Sequence, residues 1–301
     1  MIKNNIENFQ ILDNEKVRVK ECGNITEIMY QEHRSNGGCT CKVDKDHYID
    51  TRTGEMKEFQ HIDNRSQDVA NVRKSMQKGR DMINANVTNT NNCAWCTLTY
   101  KENMQNSKKL KTDFENFRKR LKDKYGHFEY ITCAEPQGRG AWHLHLILIF
   151  DHTAPYIPNK ELANAWKQGF VKINKLTDVD NVGAYLSAYL CDVETEQADN
   201  LNINKKEYIE KEIEIVDRID GKEKTKKFLK GARLSMYPPG FHIFRYSKGC
   251  VEPVISQMRY ETAKKEKVGS LQPTFTKCVE IIDVENDFQN TLKYEYYNKL
   301  K

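Results

Sequence analysis

Phe128 to Phe150 constrains this chain more than any other stretch. Phe128 to Glu135 alternates aromatic and β-branched residues and reads as a strand. Pro136-Gln137-Gly138-Arg139-Gly140 is built of turn residues. Trp142 to Phe150 reads as a second strand, apolar on both faces toward its end. A strand of that kind needs cover on both sides, so it belongs at the centre of a sheet. Around it lie a strand over Ala94–Tyr100, an amphipathic helix over Asp113–Tyr125 with Phe114, Phe117 and Leu121 on one side, and a helix over Lys160–Gly169. A short strand over Gly169–Ile173 and a helix over Asp180–Leu190 follow. Strands and helices alternate with hairpin-like links. The fold class expected is α+β, a central antiparallel sheet with flanking helices and with N- and C-terminal extensions.

The expected organisation is an N-terminal extension over 1–87, a central domain over 88–250 and a C-terminal extension over 251–301. In the first, Tyr48–Glu55 reads as a hairpin and Ser66–Ala85 as a basic helix. Lys205–Asp220 reads as a charged peripheral helix, and Tyr237–Tyr246 as a turn followed by a strand. The last fifty residues carry little signal. There is no GxxxxGK[ST], hence no sign of a nucleotide-driven motor.

The net charge of +5 is mild, but its distribution is uneven. Lys101–Lys124 holds nine Lys/Arg against four Asp/Glu, and Lys224–Lys248 holds seven and no acid. Basic blocks of this kind suit a polyanion, and they equally describe solvated helix faces. No apolar run is long enough to span a bilayer and the first residues hold no apolar leader, so no membrane role and a cytoplasmic location are expected. The cysteines number nine, in no secreted-type framework, and reduced thiols are expected. Cys39 and Cys41, with His33 and His47 near, are candidates for zinc, although their spacing is not a standard zinc-knuckle pattern. Cys93 and Cys96 lie three apart in a strand and face opposite sides, which suits core positions.

The sharpest chemical feature is Trp142-His143-Leu144-His145-Leu146. Residues i and i+2 of a strand share a face, so His143 and His145 present two imidazoles side by side while Leu144 points into the core. Two neutral imidazoles can hold a divalent cation and leave positions open for a substrate oxygen. Glu135 ends the preceding strand, and the turn can bring its carboxylate to the same ion. Two surface histidines are the plainer reading of the pair alone. In Gly183-Ala184-Tyr185-Leu186-Ser187-Ala188-Tyr189, Tyr185 and Tyr189 share one helix face. Packing of two aromatics is the usual meaning of that spacing; beside a metal, either phenol becomes a candidate nucleophile. Lys224–Tyr246 interleaves Phe228, Tyr237, Phe241, Phe244 and Tyr246 with cations. That pattern suits single-stranded DNA as well as it suits a strand with core aromatics.

Taken together these residues resemble the His-hydrophobic-His (HUH) endonucleases, and more narrowly the rolling-circle replication initiators of bacterial plasmids and phages. Three motifs occur in order: Cys96-Thr97-Leu98-Thr99-Tyr100, then Glu135-Pro136-Gln137-x-Arg139-Gly140-Ala141-x-His143-x-His145, then Val182-Gly183-Ala184-Tyr185-x-x-x-Tyr189. Lys230-Gly231-x-Arg233-Leu234 through Tyr237-Pro238-Pro239 is similar too. The resemblance implies a ferredoxin- or RRM-like endonuclease sheet, with Glu135, His143 and His145 binding Mg²⁺ or Mn²⁺. It implies Tyr185 or Tyr189 attacking the scissile phosphate to leave a 5′-phosphotyrosyl link. Single-stranded or supercoiled DNA at a replication origin is the implied partner, with Arg139, Arg233, Arg245 and Lys172 as DNA contacts, and a host helicase and polymerase acting beside it in a bacterial cytoplasm. One departure stands out. Family members commonly carry Lys before the second tyrosine and three residues after it, where this chain has Ala188 and Asp192. The alternatives are a relaxase or single-strand transposase with the same chemistry, and a DNA-binding regulator that does not cut.

Overall fold

The computed structural model describes residues 2–34, 38–137, 139–176, 193–198, 203, 209–216, 223–229 and 231–301. In chain order the strands and long helices begin with β1 (Ile2–Asn5), β2 (Lys16–Cys22), β3 (Ile25–Gln31), β4 (Thr40–Lys42), β5 (His47–Asp50) and β6 (Met56–Glu58). Next come α1 (Val69–Asn86), β7 (Cys93–Thr99), α2 (Ser107–Tyr125), β8 (Glu129–Pro136), β9 (Trp142–Ile149), α3 (Asn159–Trp166) and β10 (Val171–Lys175). Then follow β11 (Val193–Glu194), β12 (Glu210–Val216), β13 (Glu223–Leu229), β14 (Phe244–Tyr246), β15 (Val254–Arg259), β16 (Phe275–Asp283) and β17 (Phe288–Asn298). The chain forms two compact units, Met1–Ile62 with Pro253–Lys301, and Asp63–Glu252. All the strand pairs are antiparallel, and the fold is α+β as expected.

The first unit is built on a six-stranded sheet in the order β1-β16-β17-β3-β2-β15. Strands from the two ends of the chain, read in sequence as separate extensions, interleave in this one sheet. Val17, Val19 and Ile28 are completely buried there, packed with Ile11 and Tyr297. The expected hairpin forms, with β5 and β6 joined through Gly54 at φ +74°, a left-handed turn that glycine adopts without strain. β4 pairs on its other side.

The second unit holds a five-stranded sheet in the order β10-β7-β9-β8-β14, with β9 in the middle as its apolar run requires. Leu144, Leu146 and Leu148 bury one face of β9 against Leu110, Phe117 and Leu121 of α2 and Leu162 and Trp166 of α3. On the other face, Ile147 and Ile131 meet Met82 and Ile83 of α1. That helix covers only the far end of the face, so the end bearing the histidines is left for other contacts. α2 starts earlier than Asp113 because Asn106 caps it, its side chain accepting from the backbone N–H of Lys108 and Lys109. Cys93 and Cys96 are buried on opposite sides of β7, and burial pushes the Cys93 thiol up to about 12. Neither is poised to react.

One expectation changes. Lys205–Asp220 is not a helix where it is described: Glu210–Val216 is a strand paired along its length with β13. Its acids alternate with isoleucine at a period of two, and Lys227 of β13 lies 3.2 Å from Glu210 and 3.3 Å from Glu212. That cross-strand charge pairing needs a sheet. Tyr237–Tyr246 is a turn followed by a strand, as expected, with the strand spanning Phe244–Tyr246 and a 3₁₀ turn over Ala232–Met236 ahead of it. The helix expected over Asp180–Leu190 lies outside the described residues.

Candidate active site

β9 aligns its histidines with neighbours on both sides. His143 is opposite Glu135 on β8 and Thr99 on β7, and His145 is opposite Cys133 and Thr97. Directly opposed residues share a face, so the two imidazoles and the carboxylate stand together. The imidazole rings stack with centroids 4.7 Å apart, and Trp95 stacks on His145 at 5.5 Å. Glu135 reaches diagonally: its Oε2 accepts from Nε2 of His145 at 3.0 Å. Its Oε1 lies 2.5 Å from Nη1 of Arg233, which also donates to the carbonyl of Pro136 at 2.8 Å. Both partners of this ion pair are nearly buried, at 13% and 12% side-chain exposure, so the charges meet with little water between them.

The electrostatics follow from that burial. Desolvation alone would raise the Glu135 carboxyl; the hydrogen bond from His145 and the charge of Arg233 outweigh it and hold the group below the usual carboxylate range. For His143 the balance goes the other way, because the charge of Glu135 offsets too little. Burial, then the neighbouring His145, push it down from 6.5 to about 4. It is therefore a neutral imidazole at neutral pH, with a lone pair to offer. The side-chain amide of Gln137 lies 3.3 Å from its Nδ1, while its Nε2, like Nδ1 of His145, is buried with no hydrogen-bond partner. Buried polar nitrogens without partners are costly and are common where a ligand is meant to sit.

The depressed pKa carries a sign. Above pH 6.5 His143 is neutral whether folded or not. Between 6.5 and about 4 the unfolded chain takes up a proton that the folded chain refuses, so stability falls as pH falls through that window. The expected loss is roughly 2 kcal/mol between about pH 7 and about pH 5. Urea unfolding in a chelator should show wild type losing that much more than His143→Asn. Equal losses in the two proteins would contradict it.

The other expected site residues scatter. Lys172 is exposed on edge strand β10, in one row across the sheet with Thr97 and His145, and so shares the histidine face. Arg139 is exposed and donates to the backbone carbonyls of Tyr100 and Lys101. Arg245, opposite Thr132 on β8, lies on the face away from the histidines, with its guanidinium 5.8 Å from the ring centroid of Phe241. Arg233 is bound to Glu135. Tyr185 and Tyr189, with Ala188 and Asp192, lie outside the described residues. Trp95 and Gln137 were not singled out in the sequence. Strand alternation from His145 through Thr97 to Trp95 was the signal available for the first.

Among the described residues no three His, Cys, Asp or Glu side chains are arranged as they would be around a bound ion, this trio included. Two observations nevertheless fit an ion at the trio. The donor set is two imidazoles, one of them held neutral, and a carboxylate whose Oε1 is anchored by Arg233 while Oε2 faces His145. The unpartnered nitrogen of His143 is the second. A carboxylate ligand held by an outer hydrogen bond is the usual construction of such a site. The Cys39 region offers no equivalent: Cys41 is exposed, His47 Nδ1 is taken by Asp44 at 3.0 Å, and the His33 ring lies beside Phe288.

No helix among the described residues is long and apolar enough to cross a membrane. No curated protein and no solved structure matches the chain. Residues 93–194, about a third of the chain, match the family model for the replication-associated protein ORF2 family, and that stretch contains Glu135, His143 and His145 as well as Tyr185 and Tyr189.

Proposed function

We propose that the chain initiates rolling-circle DNA replication by nicking one strand at an origin and joining itself to the cut end through tyrosine. The observation that carries this reading is the gathering of Glu135, His143 and His145 on the paired strands β8 and β9, inside the stretch that matches a replication-associated family. Those three residues would hold Mg²⁺ or Mn²⁺, and the two nitrogen donors favour Mn²⁺. Bound there, such an ion supplies positive charge to the scissile phosphate and to the charge developing on it.

The rest of the work falls to the protein. Tyr185 or Tyr189 would attack phosphorus with its phenolic oxygen. A phenol with an ordinary pKa near 10 must give up its proton as that bond forms. The phosphorus–oxygen bond to the 3′ side then breaks, and the departing 3′ oxygen takes up a proton. The products are a 5′-phosphotyrosyl link and a free 3′-hydroxyl able to prime a polymerase. The link conserves the bond energy, so rejoining needs no ATP. Arg233 keeps the Glu135 carboxylate ionised and oriented, and Lys172 stands on the same sheet face to meet backbone phosphates. With no motor motif in the chain, strand separation would fall to a host helicase in a bacterial cytoplasm.

The test is nicking of supercoiled plasmid carrying the source replicon's origin. With Mn²⁺ or Mg²⁺ the plasmid should become open circular, and a chelator or His143→Ala should prevent it. Tight origin binding with no nicking at any metal concentration would favour a second reading, a regulator that binds without cutting, to which Ala188 and Asp192 in place of lysine lend some support. A relaxase or single-strand transposase shares the same chemistry and would nick too, but on its own transfer or transposon-end sequence.

A further inference from the structure

The outward side of α2 is rich in lysine. Leu110, Phe117 and Leu121 are at most 2% exposed and fix which side of the helix is buried. At 3.6 residues per turn, Lys108 and Lys119 project from the opposite side and Lys111 and Lys122 from its flank, and all four are exposed. Glu115, which lies among them, meets Arg118 at 2.6 Å, Asp113 meets Lys109 at 2.8 Å and Glu161 meets Lys124 at 2.7 Å, while Asp123 is exposed on the same side. Among the described residues none of the four lysines meets a carboxylate. They extend over about 21 Å of the helix, at 1.5 Å per residue, as two cationic pairs with Glu115 between them.

These lysines face away from the candidate active site. α2 packs on the Leu144, Leu146 and Leu148 side of β9, whereas His143 and His145 project from the other side. A strand lying in the site therefore cannot be what these lysines hold. Single-stranded DNA is also a poor match, because such sites add aromatic platforms to their cations. The aromatics of α2 short of its last residue, Phe114 and Phe117, are buried beneath the lysines. A rigid set of ammonium groups with nothing to stack on suits the regular phosphate backbone of a duplex, and its length spans roughly six base pairs at 3.4 Å each.

We infer that the outward face of α2 is a second nucleic-acid surface, which grips the phosphate backbone of double-stranded DNA while the strand to be cut lies on the histidine face. This rests on the reading that the chain works on DNA. It adds that duplex and cleaved strand are held on opposite sides of one sheet, and that the duplex contact is independent of sequence.

The experiment uses the full chain and a blunt duplex of random sequence, with affinity followed by fluorescence anisotropy across a salt series. Lys108→Gln/Lys111→Gln/Lys119→Gln/Lys122→Gln should flatten the log–log salt slope by about 3 to 4 and weaken binding more than tenfold at low salt. The corresponding fourfold Lys→Arg protein should keep the wild-type slope, which separates lost charge from lost folding. Covalent capture of a short single-stranded origin oligonucleotide should be unchanged in both. An unaltered slope in the glutamine protein, or no duplex binding by wild type, would overturn the inference and leave an ordinary solvated face. A slope that flattens in a chain forming no covalent adduct would sink the proposed cleavage while leaving this surface in place.

Discussion

Glu135→Ala is expected to reduce metal-dependent nicking by roughly a thousandfold or more and to destabilise the unit Asp63–Glu252 by roughly 3 kcal/mol. The two effects have separate origins. Activity falls because the single carboxylate of the site is gone, leaving two imidazoles whose affinity for a hard divalent ion is low. Stability falls because the Arg233 guanidinium, nearly buried, loses the carboxylate 2.5 Å away. Removing one member of such a pair costs more than removing both. Glu135→Ala/Arg233→Met should therefore recover most of the stability in urea unfolding and none of the nicking. Arg233→Met alone should retain a site that binds metal 10- to 100-fold more weakly, as when an outer hydrogen bond to a ligand is lost. Nicking by Glu135→Ala at the wild-type rate would remove the carboxylate from the mechanism, whatever its effect on stability.

Legibility in the sequence was highest where one physical demand dominated. The apolar run ending β9 can be satisfied only by cover on both faces, and α2, α3 and α1 provide it. Cys93 and Cys96 went to opposite sides of β7 because strand geometry leaves no choice. The first unit was obscure for the opposite reason. β17 buries Asn290 and Asn298 on one side and Thr291 and Glu295 on the other, so the usual apolar alternation is missing. Some of their partners are distant in sequence: Glu295 accepts from the Tyr260 hydroxyl, 35 residues away, as well as from Tyr297 two residues on. β12 was misread because a densely charged segment resembles a surface helix until its partner β13 is known, and only then do Glu210 and Glu212 meet Lys227.

At the site, the spacing of His143 and His145 and the turn after Glu135 were sufficient to place all three together, since they depend on one hairpin. The arginines were harder. An arginine in a basic chain reads as a DNA contact, and its partners within the protein are not legible: Arg139 donates to the carbonyls of Tyr100 and Lys101, and Arg233 pairs with Glu135. Which acceptor an arginine finds depends on loops returning from far along the chain: Arg233 and Pro136 are 97 residues apart. The face that Arg245 occupies depends on the register of β14 on β8, and register is what a three-residue strand does not announce.

The covalent step is the heart of the proposed function, and the second large effect is expected there. His143→Ala should abolish the adduct between protein and origin DNA, since it removes the neutral imidazole on which an ion would depend. One of Tyr185→Phe and Tyr189→Phe should do the same by deleting a single oxygen, with the fold and DNA affinity untouched. The most direct measurement is a denaturing gel of labelled single-stranded origin DNA incubated with Mn²⁺ and each protein. The expected result is a denaturant-resistant band from wild type that is absent with chelator, absent in His143→Ala and absent in one tyrosine variant. An adduct that persists in His143→Ala and in the double tyrosine variant, or a wild-type protein that binds this DNA tightly and never joins to it, would contradict the proposed mechanism.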